Sequence, residues 1–272
     1  MFIAEIGINH NGSLESALEM ISKSKEAGAD VVKFQKRNPD VCVPESQKSV
    51  IKHTPWGDMK YIDYKHRIEF TKHDYECIDS HCKNIGITWT ASVWDIDSLN
   101  FILEFDVPFI KIASASITDM KLLEAVRATG KDVIMSTGMS YYEEIYTAYE
   151  CLSNNCKVSI LHCNSSYPTL DKEINLNNII SLKELFSNAI IGYSGHEEGI
   201  YPSLVAKSMG AEIIERHVTL DKSKWGSDQK ASISFDELKE LTTLLNNVDT
   251  WKGSKVITVY ESEVPVRSKL RK

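Results

Sequence analysis

Apolar residues along the chain gather in short runs, and each run is followed by a segment with helical spacing. The runs are Phe2–Ile8, Asp30–Gln35, Thr88–Ser92, Phe109–Ile112, Asp132–Met135, Val158–Leu161, Ala189–Gly192 and Glu212–Glu215. None alternates strictly between apolar and polar, which is the pattern of strands covered on both faces in a parallel sheet. The helical segments are Leu14–Ala27, Asp74–Asn84, Asp95–Phe105, Met120–Ala128, Tyr142–Leu152, Leu176–Phe186, Ile200–Met209 and Phe235–Thr250. In the first, Leu14, Ala17, Leu18 and Ile21 share a face, Ser13 is placed to cap it and Gly28 to stop it. Eight strand–helix repeats in 272 residues predict an α/β fold of the (β/α)8 TIM-barrel type, which takes about 250 residues. No change of composition marks a second domain. Residues 1–260 read as the barrel and 261–272 as a basic tail without a core of its own.

Three features depart from this regular pattern. Glu5 interrupts the first apolar run, and a carboxylate there must be paired or must face a site. Arg37–Lys60 is long, polar and proline-containing, with Trp56 between Pro55 and Gly57. A segment of that length in a compact domain is commonly functional or disordered. The third feature is the polar residues at the strand ends, where barrel enzymes place their chemistry: Glu5, Lys33, Gln35, Lys111, Ser114, Ser136, Thr137, Ser165, Tyr167, Ser194, His196, His217 and Asp228. His196 and His217 each follow a strand, and on adjacent strands they could share a divalent metal. They are too far apart in sequence for a local ligand motif, and a structural role is the alternative. Lysines with hydroxyls and turn amides suit a phosphate or a carboxylate. A lone strand-end lysine is usually solvated or paired, but two lysines, several serines and two histidines on one rim favour a site.

Composition narrows the class. A hydrophobic content of 42% permits a large core, and a formal net charge of −7 disfavours non-specific nucleic-acid binding. The six cysteines form no C-x-x-C pair. No basic start leads into an apolar run and a cleavage site, and no segment reaches the ~20 apolar residues of a bilayer span. The expectation is a cytoplasmic protein with reduced thiols and no membrane association.

AEIGINHNG, VVKFQ, IKIASAS, STGMS, LHCNSSYP, IGYSGH, IERHVT and GSDQ, in this order, resemble the sialic acid (N-acetylneuraminate) synthase family over about residues 2–270. The segment with Thr54-Pro55-Trp56-Gly57 and Tyr64-Lys65 resembles the single-barrel form, which lacks the C-terminal antifreeze-like domain. The resemblance implies a transferase that condenses phosphoenolpyruvate with an amino-sugar aldehyde, N-acetylmannosamine or a similar aldose, to a nonulosonic acid. It implies His196 and His217 as ligands of a divalent metal, usually Mn2+. It places Lys33, Lys111, Ser114, Ser136, Ser165 and Ser194 around phosphoenolpyruvate, and Glu5, Gln35, Tyr167 and Asp228 at the acceptor. Glu5 and Asp228 are the two carboxylates that could move protons. It also implies a homo-oligomer, with any dimer resting on the barrel alone. Ala91 stands where better-known members carry a threonine near phosphoenolpyruvate, with Ser92 or Thr90 to compensate. The antifreeze-like domain would supply an arginine to the sugar; Arg37–Lys60 is the candidate to replace it as a lid. The alternatives are a related synthase acting on another or a phosphorylated sugar, such as the octulosonate-phosphate and deoxyheptulosonate-phosphate synthases, and a non-catalytic sugar-binding barrel.

Overall fold

A computed structural model describes residues 1–271. Eight parallel strands close into a barrel: β1 (Phe2–Gly7), β2 (Val31–Lys36), β3 (Thr88–Val93), β4 (Phe109–Ile112), β5 (Asp132–Ser136), β6 (Val158–Cys163), β7 (Ile190–Gly195) and β8 (Ile214–His217). Neighbours in sequence are neighbours in the sheet, and β8 closes on β1. Eight helices cover the outside: α1 (Leu14–Glu26), α2 (Lys72–Ile85), α3 (Ile96–Ile102), α4 (Met120–Ala128), α5 (Tyr142–Ser153), α6 (Asn177–Leu185), α7 (Tyr201–Ser208) and α8 (Phe235–Lys252). The expected strands and helices are all present, with ends shifted by a few residues. Ser13 caps α1 as its position suggests, accepting from the Ser16 N–H at 3.1 Å. Ser234 and Glu237 form a reciprocal capping box on α8.

The strands explain how a hydrophobic barrel can hold a charged site. Residues two apart on a strand share a face. Ile3, Val31, Phe109, Ile134, Leu161 and Ile213 form a separate apolar cluster that plugs the barrel interior. Two positions further along the same strands stand Glu5, Lys33, Lys111, Ser136, Cys163 and Glu215, and all six line one cavity. The intervening residues, such as Ala4, Val32, Ile110, Met135 and Ile160, pack outward into the main core beneath the helices. Each strand therefore reads as continuously apolar until its last inward position. Ala91 belongs to the outward core, whereas Ser92 lines the cavity. Of the two residues expected to compensate for Ala91, Ser92 therefore faces the site, whereas the Thr90 hydroxyl donates to the Phe109 carbonyl at 2.8 Å.

The polar excursion after β2 is folded. It contains helical turns at Pro39–Cys42 and Glu45–Lys48, an antiparallel hairpin of Ile51–Thr54 with Gly57–Lys60, and a helix at Tyr61–Ile68. Its apolar side packs Trp56, Met59 and Tyr61 against Ile8, Tyr64 and Ile68. The hydrophobic pattern does not reveal the hairpin because its strands are largely exposed and bury no alternating face. Trp56 meets Trp225, in the β8–α8 loop, edge to face at 6.2 Å between ring centroids. This contact anchors the excursion beside the barrel mouth. None of residues 38–60 lines the central cavity. Past α8, residues 253–271 are all exposed and include a short helix, Val264–Leu270. No helix is long and apolar enough to cross a membrane among the described residues.

Candidate active site

The cavity at the C-terminal ends of the strands has a volume of about 150 Å3. Glu5, Lys33, Gln35, Lys111, Ser114, Ser136, Ser165, Tyr167, Ser194, His196 and His217 all line it, so nearly every residue expected from the sequence converges there. Asp228 stands at its edge, with Oδ2 3.8 Å from His217 Nδ1 and Oδ1 accepting from Ser227 Oγ at 2.6 Å. Thr137 faces elsewhere: its hydroxyl donates to the Leu161 carbonyl, and it borders a larger open groove outside the barrel. That groove holds about 700 Å3 but has neither lysine nor carboxylate, so the charged chemistry lies in the smaller cavity.

A chain of alternating charges crosses the floor. Glu5 Oε2 lies 2.7 Å from Lys33 Nζ. Lys33 lies 3.8 Å from Glu215 and donates to Ser92 Oγ at 2.9 Å. Lys111 lies 3.8 Å from Glu215 on its other side and donates to Ser136 Oγ at 2.6 Å. Ser194 Oγ donates to Glu215 Oε1 at 2.9 Å. Strand pairing sets this order, because Glu5 is in register with both Lys33 and His217, and Ser194 with Glu215. Glu215 is absent from the set expected from the sequence. The signal was there: it lies two residues before His217 and so on the same face of β8.

Burial separates the two carboxylates. It pushes the Glu5 carboxyl up to about 7, with Lys33 opposing and the Glu215 charge adding. Burial also pushes Glu215 up, but Lys111, Lys33 and the Ser194 hydroxyl outweigh it and hold it at about 2. Glu215 is thus a fixed anion, while Glu5 can hold or release a proton near neutrality. Lys33 stays charged: burial works against its ammonium, but Glu215 and Glu5 raise its pKa. Burial lowers that of Lys111.

Beside the lysines, the turn after β5 forms a cradle. The Gly138 N–H donates to Ser114 Oγ at 3.0 Å, and any side chain at Gly138 would collide with the hydroxyls of Ser165 and Ser114. Glycine is also required at Gly7, where φ is +55°; a Cβ there would come within 3.1 Å of both Glu5 and Gln35. Gln35 Nε2 donates to Glu5 Oε1 at 3.1 Å.

The two histidines face one another across the opposite wall, their ring centroids 5.3 Å apart. His196 Nδ1 lies 2.6 Å from the Asn164 carbonyl, which places the proton on Nδ1 and leaves the Nε2 lone pair available. His217 Nδ1 is buried and has no hydrogen-bond partner. Burial lowers its pKa to about 3, so the ring is neutral and a ready ligand. Burial lowers the His196 pKa, but Cys163 and the Asn164 carbonyl outweigh it and raise it; in their neutral forms, two imidazole nitrogens suit a borderline divalent ion that leaves positions open for substrate and water. Among the described residues no three His, Cys, Asp or Glu side chains converge as a metal set. Tyr167 covers His196, with ring centroids 4.0 Å apart.

His10, in the NHNG turn, has a structural role. It stacks on Phe70 at 4.0 Å, and burial lowers its pKa to about 3. Asn9 joins the turn after β1 to the segment after β8 by donating to the Val218 carbonyl and to Ser232 Oγ, both at 2.8 Å.

Residues 20–257 match the NeuB family. N-acetylneuraminate-9-phosphate synthase of Drosophila melanogaster is 40% identical over 249 residues, covering 90% of this chain and 67% of the relative. N,N'-diacetyllegionaminic acid synthase of Campylobacter jejuni is 33% identical over 270 residues, covering 97% and 80%. The crystal structure of N-acetylneuraminic acid synthetase from Leptospira borgpetersenii, in complex with citrate, superposes with a TM-score of 0.87 at 33% identity, covering 100% of this chain and 92% of that one. A family match across most of the chain, with the same barrel over its whole length, establishes that the chain belongs to the NeuB family of enzymes.

Proposed function

We propose that this protein condenses phosphoenolpyruvate with an amino-sugar aldehyde to form a nonulosonic acid and free phosphate. The observation that carries the reading is the juxtaposition, in one buried cavity, of a lysine–serine cradle with two uncommitted imidazoles and a carboxyl balanced near neutrality. Its relatives include synthases named for sialic and legionaminic acids.

Lys111, Ser136, Ser114, Ser165 and the Gly138 turn hold the phosphate of the donor, and Lys33 with Ser92 faces its carboxylate. Such charge-assisted contacts are the strong ones. The donor's methylene carbon attacks the aldehyde carbon, and water adds at the former enol carbon. The tetrahedral intermediate then breaks its carbon–oxygen bond to expel phosphate. Glu5, at the junction of Lys33 and Gln35, moves the proton in this sequence; Asp228 stands beside His217 at the edge, 3.8 Å from its Nδ1. His196 and His217 would hold a divalent ion of the manganese type, which supplies Lewis-acid polarisation of the aldehyde oxygen when bound. Tyr167 and Gln35 border the acceptor. The protein is then a cytoplasmic homo-oligomer acting on small molecules.

The test incubates the protein with phosphoenolpyruvate, manganese and a panel of amino-hexoses, with phosphate release and product mass as readouts. A product heavier than the sugar by the pyruvyl unit is expected. Phosphate release that does not depend on the sugar would exclude the synthase reading.

A further inference from the structure

One buried ion pair stands directly behind the two histidines. Glu197 follows His196 in the chain, and Arg216 precedes His217. Both side chains are fully buried, and Arg216 Nη1 lies 2.8 Å from Glu197 Oε1. Nη1 also donates to Ser203 Oγ, on α7, at 2.9 Å, and Nη2 donates to the Glu197 main-chain carbonyl at 2.7 Å. The Tyr193 hydroxyl, on β7, donates to Glu197 Oε2 at 2.7 Å. Neither Glu197 nor Arg216 lines the central cavity.

Strand geometry couples this pair to the imidazoles. Neighbouring residues on a strand point to opposite faces, so an inward His217 turns Arg216 outward, beneath α7. Arg216 is in register with Gly195, and the pairing of β7 with β8 ends there. The histidines are the next residue on each strand, one step past the last paired position. Beyond that point the guanidinium takes over, joining the residue before His217 to the side chain and the carbonyl of the residue after His196. Gly195 makes room for this. A Cβ there would come within 2.5 Å of Glu197 Oε2, so the missing side chain lets the carboxylate turn back to Arg216. The main chain at His196 is thereby held twice: its own carbonyl accepts from the Thr169 N–H at 3.0 Å, and the next accepts from Arg216.

A buried ion pair is a poor source of stability, because apolar residues of similar volume do as well or better. What a planar guanidinium offers is one arrangement, set by several directed bonds. We propose that Arg216 and Glu197 are positioning residues that hold His196 and His217 at the separation a shared divalent ion requires. The proposal rests on the metal assignment within the synthase reading.

The experiment measures binding of manganese alone to the full chain, by calorimetry and by electron paramagnetic resonance of the free ion. Circular dichroism and Tm check the fold. Glu197→Leu with Arg216→Met replaces the pair by apolar side chains, and Tyr193→Phe with Ser203→Ala removes the hydroxyls that would lose their partners. This combined variant is expected to keep the barrel and to bind manganese about 10–100-fold more weakly, the usual loss when groups that orient a metal ligand are removed. Its binding of phosphoenolpyruvate, measured without metal, should be unchanged. Arg216→Lys keeps the charge but not the fork, and supplies the test, with a loss in the same direction, if the combined variant does not fold. Manganese affinity equal to that of the wild type in either folded variant would overturn the proposal. So would an equal weakening of manganese and phosphoenolpyruvate, the sign of a generally loosened mouth, or a wild-type chain that binds no manganese. The two readings fail separately. Manganese affinity that depends on the pair, in a protein that makes no keto acid, keeps the positioning role and removes the synthase; turnover with an affinity independent of the pair does the reverse.

Discussion

The two halves of the barrel mouth are built on different principles. On the β4–β7 half, the groups that meet the donor stand on the strands or in the turns directly after them, and their partners are in place: Lys111 with Ser136 and Glu215, Gly138 with Ser114, Ser194 with Glu215. On the side of β1, β8 and the excursion to Ile68, where Glu5 and His217 still stand on strands but Arg37 and Lys65 do not, the hydrogen-bond balance is incomplete. Arg37 Nε and His217 Nδ1 are buried without hydrogen bonds. A site finished before its ligand arrives is preorganised, and this half suits an invariant donor. A half whose polar groups await a ligand suits the substrate that defines specificity.

Substitutions can break this comparison, and the largest effect is expected at the histidines. His196→Ala or His217→Ala should abolish turnover while circular dichroism reports an intact barrel; full activity of either variant in chelator-treated buffer would contradict the metal assignment. Glu5→Gln comes next, with turnover lowered about 10²–10⁴-fold, the usual contribution of a positioned acid or base. If Asp228→Asn instead carries that loss and Glu5→Gln does not, the proton belongs to the edge carboxylate. Lys111→Ala should raise KM for phosphoenolpyruvate about tenfold or more and leave KM for the sugar nearly unchanged. An equal rise in both constants would erase the division of the mouth into two halves.

Stability should carry the mark of Glu5. Its folded pKa of about 7 lies above the ordinary 4.5, so the native state keeps a proton that the unfolded chain has already lost. The stability this group contributes is complete below about 4.5 and is lost as pH rises through about 7. The Tm of the wild type relative to Glu5→Gln should therefore fall across that window. A difference that stays flat would mean that Glu5 is ionised throughout.

The smallest effect is expected at the excursion. Trp56→Ala removes the edge-to-face contact with Trp225 and the Arg67 guanidinium stacked on Trp56 at 4.7 Å. Aromatic pairs are worth about 0.5–1.5 kcal/mol, so a severalfold rise in acceptor KM, with the donor unaffected, is expected from steady-state kinetics.

The donor half was largely legible in the sequence because it obeys strand periodicity: a lysine or serine ending an apolar run points into the barrel. Glu215 obeyed the same rule and was passed over because it reads as the end of a strand. Of the two residues expected to compensate for Ala91, Ser92 lines the cavity, while Ala91 itself packs outward, one step along a strand exchanging inside for outside. The acceptor half was not legible in the same way. Arg37 and Lys65 lie 28 residues apart on an excursion whose exposed hairpin carries no periodic signal, and only the folded contacts set Arg37 against Gln35 and Trp94 and Lys65 against Tyr61 and Tyr64. The segment Arg37–Lys60, expected as a lid, packs through Trp56 on Trp225 beside the mouth, and none of residues 38–60 lines the cavity.

The central claim is that carbon–carbon bond formation is followed by expulsion of phosphate from the former enol carbon. Phosphoenolpyruvate labelled with heavy oxygen in its bridging position tests this most directly, in a reaction with the acceptor that gives the highest turnover. The account predicts that the label leaves with the phosphate. Label retained in the keto acid would mean cleavage between phosphorus and oxygen and would contradict it.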